Sequence, residues 1–265
     1  NKYLPVGYRE KMRAALKDRP DLIARLVEGR PGMSVVGEAV VPTFSRDLHV
    51  AKEPLPVFSA FEIIRLWDAG AGDLHPACCF IQADPRLGVN VLASRVGENI
   101  GIVEFIRDVI KPLQVKYGWA PPRGTGGPGG DGFGLPAKGG FRFREIGDPS
   151  CLVPSGVSSQ LTVAKAIQNA FGTSFEPGPQ DWSSRREALL AGFERAGKGA
   201  RPRFIQIAPE ENPELIKALG GRFHYPRDQG TGRILGTVEA AKRASGLYSH
   251  PVMALAYGLA NLFPA

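Results

Sequence analysis

The chain has 265 residues, 43% of them hydrophobic and 22% charged, a composition that excludes a disordered or fibrous protein. That length is enough for the core of one large domain, so a single unit over 1–265 is expected. With 33 Lys and Arg against 26 Asp and Glu the net charge is +7 and the pI near 9.4, which suits a polyanionic partner such as nucleic acid, with a basic solvated surface as the alternative.

The elements follow in chain order. Residues 8–28 read as two short helices broken at Pro20, because proline removes a donor and restricts its predecessor. The proline-punctuated stretch "GEAVVPTFSRDLHVAKEPLPVFSAFE" reads as an extended lead-in, so residues 1–60 precede the regular fold and 61–265 form its core. Residues 61–67, 77–82 and 88–94 are apolar runs separated by turn-forming segments, the pattern of three antiparallel strands joined by hairpins. Ile102, Val103, Phe105, Ile106, Val109, Ile110 and Leu113 then repeat at helical spacing and predict a crossover helix. Residues 120–140 are too rich in Gly and Pro to pack and predict a flexible loop.

After the loop, "FRFREIGDPS" alternates and predicts a strand parallel to the first, since a helical crossover precedes it. "SSQLTVAKAIQNAFG" and "DWSSRREALLAGFERAG" predict helices, "RPRFIQIAP" a strand, "NPELIKALGG" a short helix and "SHPVMALAYGLANLF" an amphipathic C-terminal helix. The fold class expected is α/β, a mixed sheet of three antiparallel strands followed by parallel strands, flanked by helices.

Cys78 and Cys79 are neighbours on a predicted strand and point to opposite faces, so with Cys151 they read as buried, reduced thiols in a cytosolic setting. No apolar run approaches the roughly 18 residues of a membrane span. The chain begins at Asn1 with no signal-like segment, and an excised part of a longer polypeptide is expected. "GFERAGKG" at 192–199 imitates a phosphate-binding loop, but it ends a helix and has Gly199 where Ser or Thr would meet Mg, so a glycine helix stop is expected. The glycines of "GTGGPGGDGFG" lack the strand-to-helix context of a nucleotide fingerprint. His49, His75, His224 and His250 are scattered, without a zinc spacing. Arg185 and Arg186 read as a solvated helix face, with a phosphate contact as the alternative.

The remaining signal is carboxylate. Asp68 ends the first strand before the small residues Ala69, Gly70, Ala71 and Gly72, and Asp148 ends the fourth. Adjacent strands lie about 4.8 Å apart, so two such aspartates can share a divalent cation, and phosphodiester hydrolysis with two ions about 3.5 to 4 Å apart needs ligands of this kind. Mg or Mn suits oxygen donors. A hairpin-initiating Asp is the alternative for Asp68.

In order, "RLWDAGAGDLHPACCFIQADPRLGVNVLAS", "EIGDPS" and "YSHPVMALAYGLANL" resemble the C-terminal nuclease domain of the large terminase subunit of tailed double-stranded DNA bacteriophages, over roughly residues 34–262. The resemblance implies a ribonuclease-H-like fold, a Mg- or Mn-dependent endonuclease that cuts concatemeric double-stranded DNA during packaging, and Asp68 and Asp148 as its catalytic and metal-holding acids. It implies an N-terminal ATPase domain on the same polypeptide, partnership with the portal and the small terminase subunit, no membrane, and the host cell cytoplasm. Where that family carries a third acid in the C-terminal helix, this sequence has Met253, and a thioether is a poor ligand for Mg or Mn. Asp73 or His250 is a substitute ligand, a site of two carboxylates completed by waters and DNA is another solution, and lost activity is a third. Bland alternatives for them are a solvated hairpin position for Asp73 and a capping or core role for His250. Arg123, Lys138, Arg142 and Arg144 flank the glycine-rich loop and are expected to touch DNA as a flap, with a disordered insertion as the alternative. A nuclease-silent DNA-binding module and a junction resolvase are the competing functions.

Overall fold

The structure, a computed structural model, describes residues 7–15, 23, 27, 37–70, 74–84, 88–119, 140–154, 162–194, 205–228 and 230–264. The first expected helix is α1 (Tyr8–Ala15); the second lies almost wholly outside the described residues. The lead-in is more ordered than its prolines predict. It carries a three-residue strand, β1 (Gly37–Ala39), and a single turn, α2 (Arg46–His49).

The three predicted strands are β2 (Ile63–Asp68), β3 (Ala77–Asp84) and β4 (Gly88–Val96), antiparallel to one another as expected. The crossover helix α3 spans 102–116, with a π-helical stretch over Ile106–Ile110. It returns the chain to β5 (Phe143–Gly147), which pairs parallel with β2. Then come α4 (Val163–Phe171), β6 (Phe175–Pro177), α5 (Trp182–Phe193), β7 (Ile205–Ile207), α6 (Pro213–Lys217), β8 (His224–Pro226), α7 (Val238–Ser245) and α8 (Ser249–Leu262). The main sheet has six strands in the order β6-β5-β2-β3-β4-β7, with β5, β6 and β7 parallel to their neighbours: the ribonuclease-H-like mixed sheet. β8 pairs with β1 in a separate ribbon.

Both faces of the sheet are covered, which is why all six residues of β2 are buried. Strand alternation divides them. Ile64 and Leu66 join the core that includes α5 and α8, while Ile63 and Trp67 join the core beneath α3 and α4. Cys78 and Cys79 divide the same way, as free, buried thiols on opposite faces. Asp181 caps α5 by accepting from the Ser184 amide at 2.7 Å.

Three expectations need correction. α8 is not amphipathic: residues 249–260 are all buried, because the helix is enclosed by the sheet and its neighbouring helices. Its close approach to β2 depends on Gly258, where a Cβ would stand 2.3 Å from a Leu66 methyl. β6, between the two predicted helices, has no counterpart among the expected elements. Arg185 is not on a solvated face: it is 6% exposed, its guanidinium 4.3 Å from the Tyr257 ring and donating to the main-chain oxygens of Asp181 and Gln180. Its aromatic neighbours come from α8 as well as α5, so the local sequence gives no sign of the burial. The 120–139 part of the expected loop and residues 195–199 of the loop-like motif lie outside the described residues. Among the described residues no helix is long and apolar enough to cross a membrane.

Candidate metal centre at the ends of β2 and β5

Asp68 is the last residue of β2 and is 4% exposed. Alternation sets its side chain on the α8 face, with Ile64 and Leu66. The chain reverses immediately afterwards: the Gly70 amide donates to Asp68 Oδ1 at 3.1 Å. Gly70 has φ +57°, and a Cβ there would lie 2.4 Å from the His75 backbone, so the turn requires glycine. Asp68 thus does start a turn, but this occupies one oxygen only. Among the described residues Oδ2 is buried with no hydrogen-bond donor, and His250 Nδ1 lies 3.5 Å from it.

Asp148 follows β5 directly. Its amide donates to the Trp67 carbonyl at 3.0 Å, which continues the parallel β2–β5 ladder by one step and sets Asp148 alongside the end of β2. Its Oδ1 accepts from the Ser150 amide at 2.8 Å and caps the short turn Pro149–Leu152. Tyr257, from α8, senses the charge of this carboxylate.

Two further groups sense both carboxylates. Burial pushes the Tyr257 hydroxyl well above the ordinary tyrosine value, and the charges of Asp148 and Asp68 push it in the same direction. Burial, then Asp148 and Asp68, likewise hold the Cys151 thiol up, so it stays protonated. His250, Met253 and Tyr257 are three and four residues apart, one stripe of α8. His250 serves the Asp68 end and Tyr257 the Asp148 end. Met253, fully buried, lies between them on that stripe.

His75, one of the scattered histidines of the sequence, is brought to His250 with ring centroids 5.9 Å apart, and its Nδ1 lies 3.1 Å from the Gly97 carbonyl. Tyr257 is absent from the sequence-derived candidates as well; a tyrosine in an apolar helix gives no signal until the helix is placed against β5. Asp73, Arg123 and Lys138 lie outside the described residues. Arg142 is exposed. Arg144 is half-buried in a two-pronged pair with Glu176, Nε to Oε1 at 2.8 Å and Nη2 to Oε2 at 2.5 Å.

Among the described residues no three His, Cys, Asp or Glu side chains are grouped to hold an ion. Two carboxylates, one with a buried oxygen that lacks a donor, still fit a hard divalent cation whose remaining positions are filled from outside these residues.

No protein-family model and no curated protein matches this sequence. Solved structures do. The large terminase of a thermophilic bacteriophage aligns with 98% of this chain at 13% identity and a TM-score of 0.51, over 53% of its own length, so this chain spans about half of that protein. The SPP1 large terminase nuclease domain with bound Mn aligns at 15% identity and TM-score 0.39, over 76% of this chain and 94% of that one. The nuclease of the phage G20c large terminase with bound magnesium aligns at 13% identity and TM-score 0.43, over 83% and 97%. At 13% identity the likeness to the first is one of fold. The chain has the ribonuclease-H-like fold found in phage large terminases.

Proposed function

We propose that this chain is the nuclease part of a phage DNA-packaging terminase, a metal-dependent endonuclease that cuts concatemeric double-stranded DNA with little sequence preference. The observation that carries the reading is the pair of aspartates at the adjacent ends of parallel strands β2 and β5, with Asp68 Oδ2 buried and without a hydrogen-bond donor. A buried carboxylate oxygen whose nearest partner is an imidazole nitrogen at 3.5 Å, beyond a good hydrogen bond, is costly, and a cation would satisfy it.

Asp68 and Asp148 hold Mg or Mn in this proposal, with Asp73 or DNA phosphates completing the ligands of a second ion. When bound, the ions supply a nucleophilic water and screen the leaving oxygen. His250 orients Asp68, and Tyr257, kept protonated by burial and by the aspartates, donates to Asp148. Arg142, together with Arg123, Lys138 and Arg144, contacts phosphates, which position a duplex without reading its sequence. The ATPase domain, portal and small subunit are the partners that go with this role, in the host cytoplasm.

Supercoiled plasmid incubated with Mn or Mg tests the reading: nicking and linearisation are expected, and Asp68→Asn or Asp148→Asn abolishes both. Absence of cutting in every divalent metal supports the second reading, a nuclease-silent DNA-binding module, which is favoured by the buried thioether of Met253. Preference for branched over linear duplex indicates a junction resolvase instead.

A further inference from the structure

Three residues before each aspartate, a second pair of charges lies on the opposite face of the sheet. Arg65 on β2 and Glu145 on β5 are direct register partners, their side chains 2% and 0% exposed. Arg65 Nε donates to both carboxylate oxygens at 2.9 and 3.0 Å, and its Nη2 donates to Oε1. Trp67 Nε1 donates to Oε2 at 2.7 Å, and the Thr173 hydroxyl to Oε1 at 2.7 Å. The guanidinium lies over the rings of Phe143 and Phe171, 4.4 and 3.7 Å from their centroids.

A buried ion pair is poor support for stability, because an apolar pair of similar volume serves as well or better. Its particular capacity is choice of register. Elsewhere the register sets Ile63, Ile64 and Leu66 against Phe143, Arg144 and Ile146, pairs without a charge complement, and Trp67 against Gly147, where a Cβ would lie 2.5 Å from the Trp67 carbonyl oxygen. Only one alignment sets Glu145 against Arg65, and any other parts the two buried charges and leaves the carboxylate at most the neutral donors of Trp67 and Thr173. A slip of two residues keeps every side chain on its face, yet carries Asp148 about 7 Å along the strand from the end of β2.

We infer that Arg65 and Glu145 are positioning residues, a register lock that holds Asp148 beside Asp68. Its catalytic consequence rests on the nuclease reading above; the lock itself is a statement about strand alignment. Thr173, between α4 and β6, ties the third parallel strand to the same point.

The test uses the full chain carrying Arg65→Met and Glu145→Leu together, an apolar pair that removes both charges. Nuclear magnetic resonance reads the alignment directly, through the cross-strand contact of Trp67 with Gly147 and the exchange protection of the Asp148 amide, and Mn binding is measured beside it. The expected variant folds, loses at least about 10-fold of the protection at Asp148, and shows a weakened or doubled Trp67–Gly147 contact. Its Mn affinity falls about 10- to 100-fold, the range for losing a group that orients a ligand. Should the double variant not fold, Glu145→Gln, which keeps the shape and removes the charge, is read the same way. Wild-type protection and an unchanged Trp67–Gly147 contact in the folded variant overturn the lock. If the wild-type chain neither binds Mn nor cuts DNA, the nuclease reading fails, and the resonance measurement still decides the lock.

Discussion

Gly258→Ala is the sharpest packing test, because α8 carries His250 and Tyr257 to the two aspartates. An alanine Cβ would lie 2.3 and 2.4 Å from the two Leu66 methyls and 2.8 Å from Leu66 Cγ. A leucine tip on the surface would swing away, but Leu66 is 0% exposed and has nowhere to go. The helix must therefore lift from β2. Overpacking costs about 1–3 kcal/mol, and the intrinsic helix preference of Ala over Gly returns about 1 kcal/mol. The net expectation is a loss of about 1 kcal/mol, with a fall in plasmid cutting as His250 and Tyr257 withdraw. Guanidinium chloride unfolding followed by tryptophan fluorescence gives the stability. The decisive arm is Leu66→Ala: alone it costs about 2–5 kcal/mol, but combined with Gly258→Ala the loss should be at least about 1 kcal/mol smaller than the sum. A Gly258→Ala protein more stable than wild type, or strict additivity with Leu66→Ala, refutes the argument.

Arg185→Ala should lower stability by about 2 kcal/mol, through lost aromatic stacking and the loss of the side-chain donor to the Gln180 main-chain oxygen, while leaving the salt dependence of DNA binding unchanged; a flattened salt slope would place Arg185 at the DNA surface. Arg142→Ala should reduce the slope of log K against log salt by about 1, and joint replacement of Arg123, Lys138, Arg142 and Arg144 by more, measured by fluorescence anisotropy over a salt series. Glu211 supplies a pH test. Partial burial raises its pKa, but donors on Lys116, Tyr117 and Arg95 more than cancel this and hold it at about 2, below the usual 4.5. A folded-state value below the unfolded one gives stability that is present above pH 4.5 and lost as the pH falls towards 2. Wild type should therefore exceed Glu211→Gln in melting temperature at pH 6, with the gap closing below pH 4; a constant gap contradicts the assignment.

The parts of the fold that were legible in the sequence share a cause. β2, β3 and β4 are apolar runs cut by turn residues, and the helix between β4 and β5 forces a parallel return, while the adjacency of Asp68 and Asp148 comes from the resemblance to a ribonuclease-H-like fold. Short and distant pairings were not legible. β6 has three residues, too few to show alternation, and β1 finds its partner β8 near the other end of the chain. α8 defeated the helical pattern because enclosure on every side removes the polar face that periodicity detects. The same holds around the site. Carboxylates at strand ends announce themselves, whereas Tyr257, His75 and the Arg65–Glu145 pair acquire meaning only from what the fold sets against them. An arginine and a glutamate inside two strands read as edge or solvent positions until both faces of the sheet are known to be covered.

The central claim is that Asp68 and Asp148 act as one cation site, and Mn binding followed by electron paramagnetic resonance tests it most directly. Asp68→Asn and Asp148→Asn should each abolish the tightest binding, and the double variant should lose nothing more, because either change removes the shared site. Wild-type Mn affinity in both single variants, or losses that simply add in the double, would contradict it.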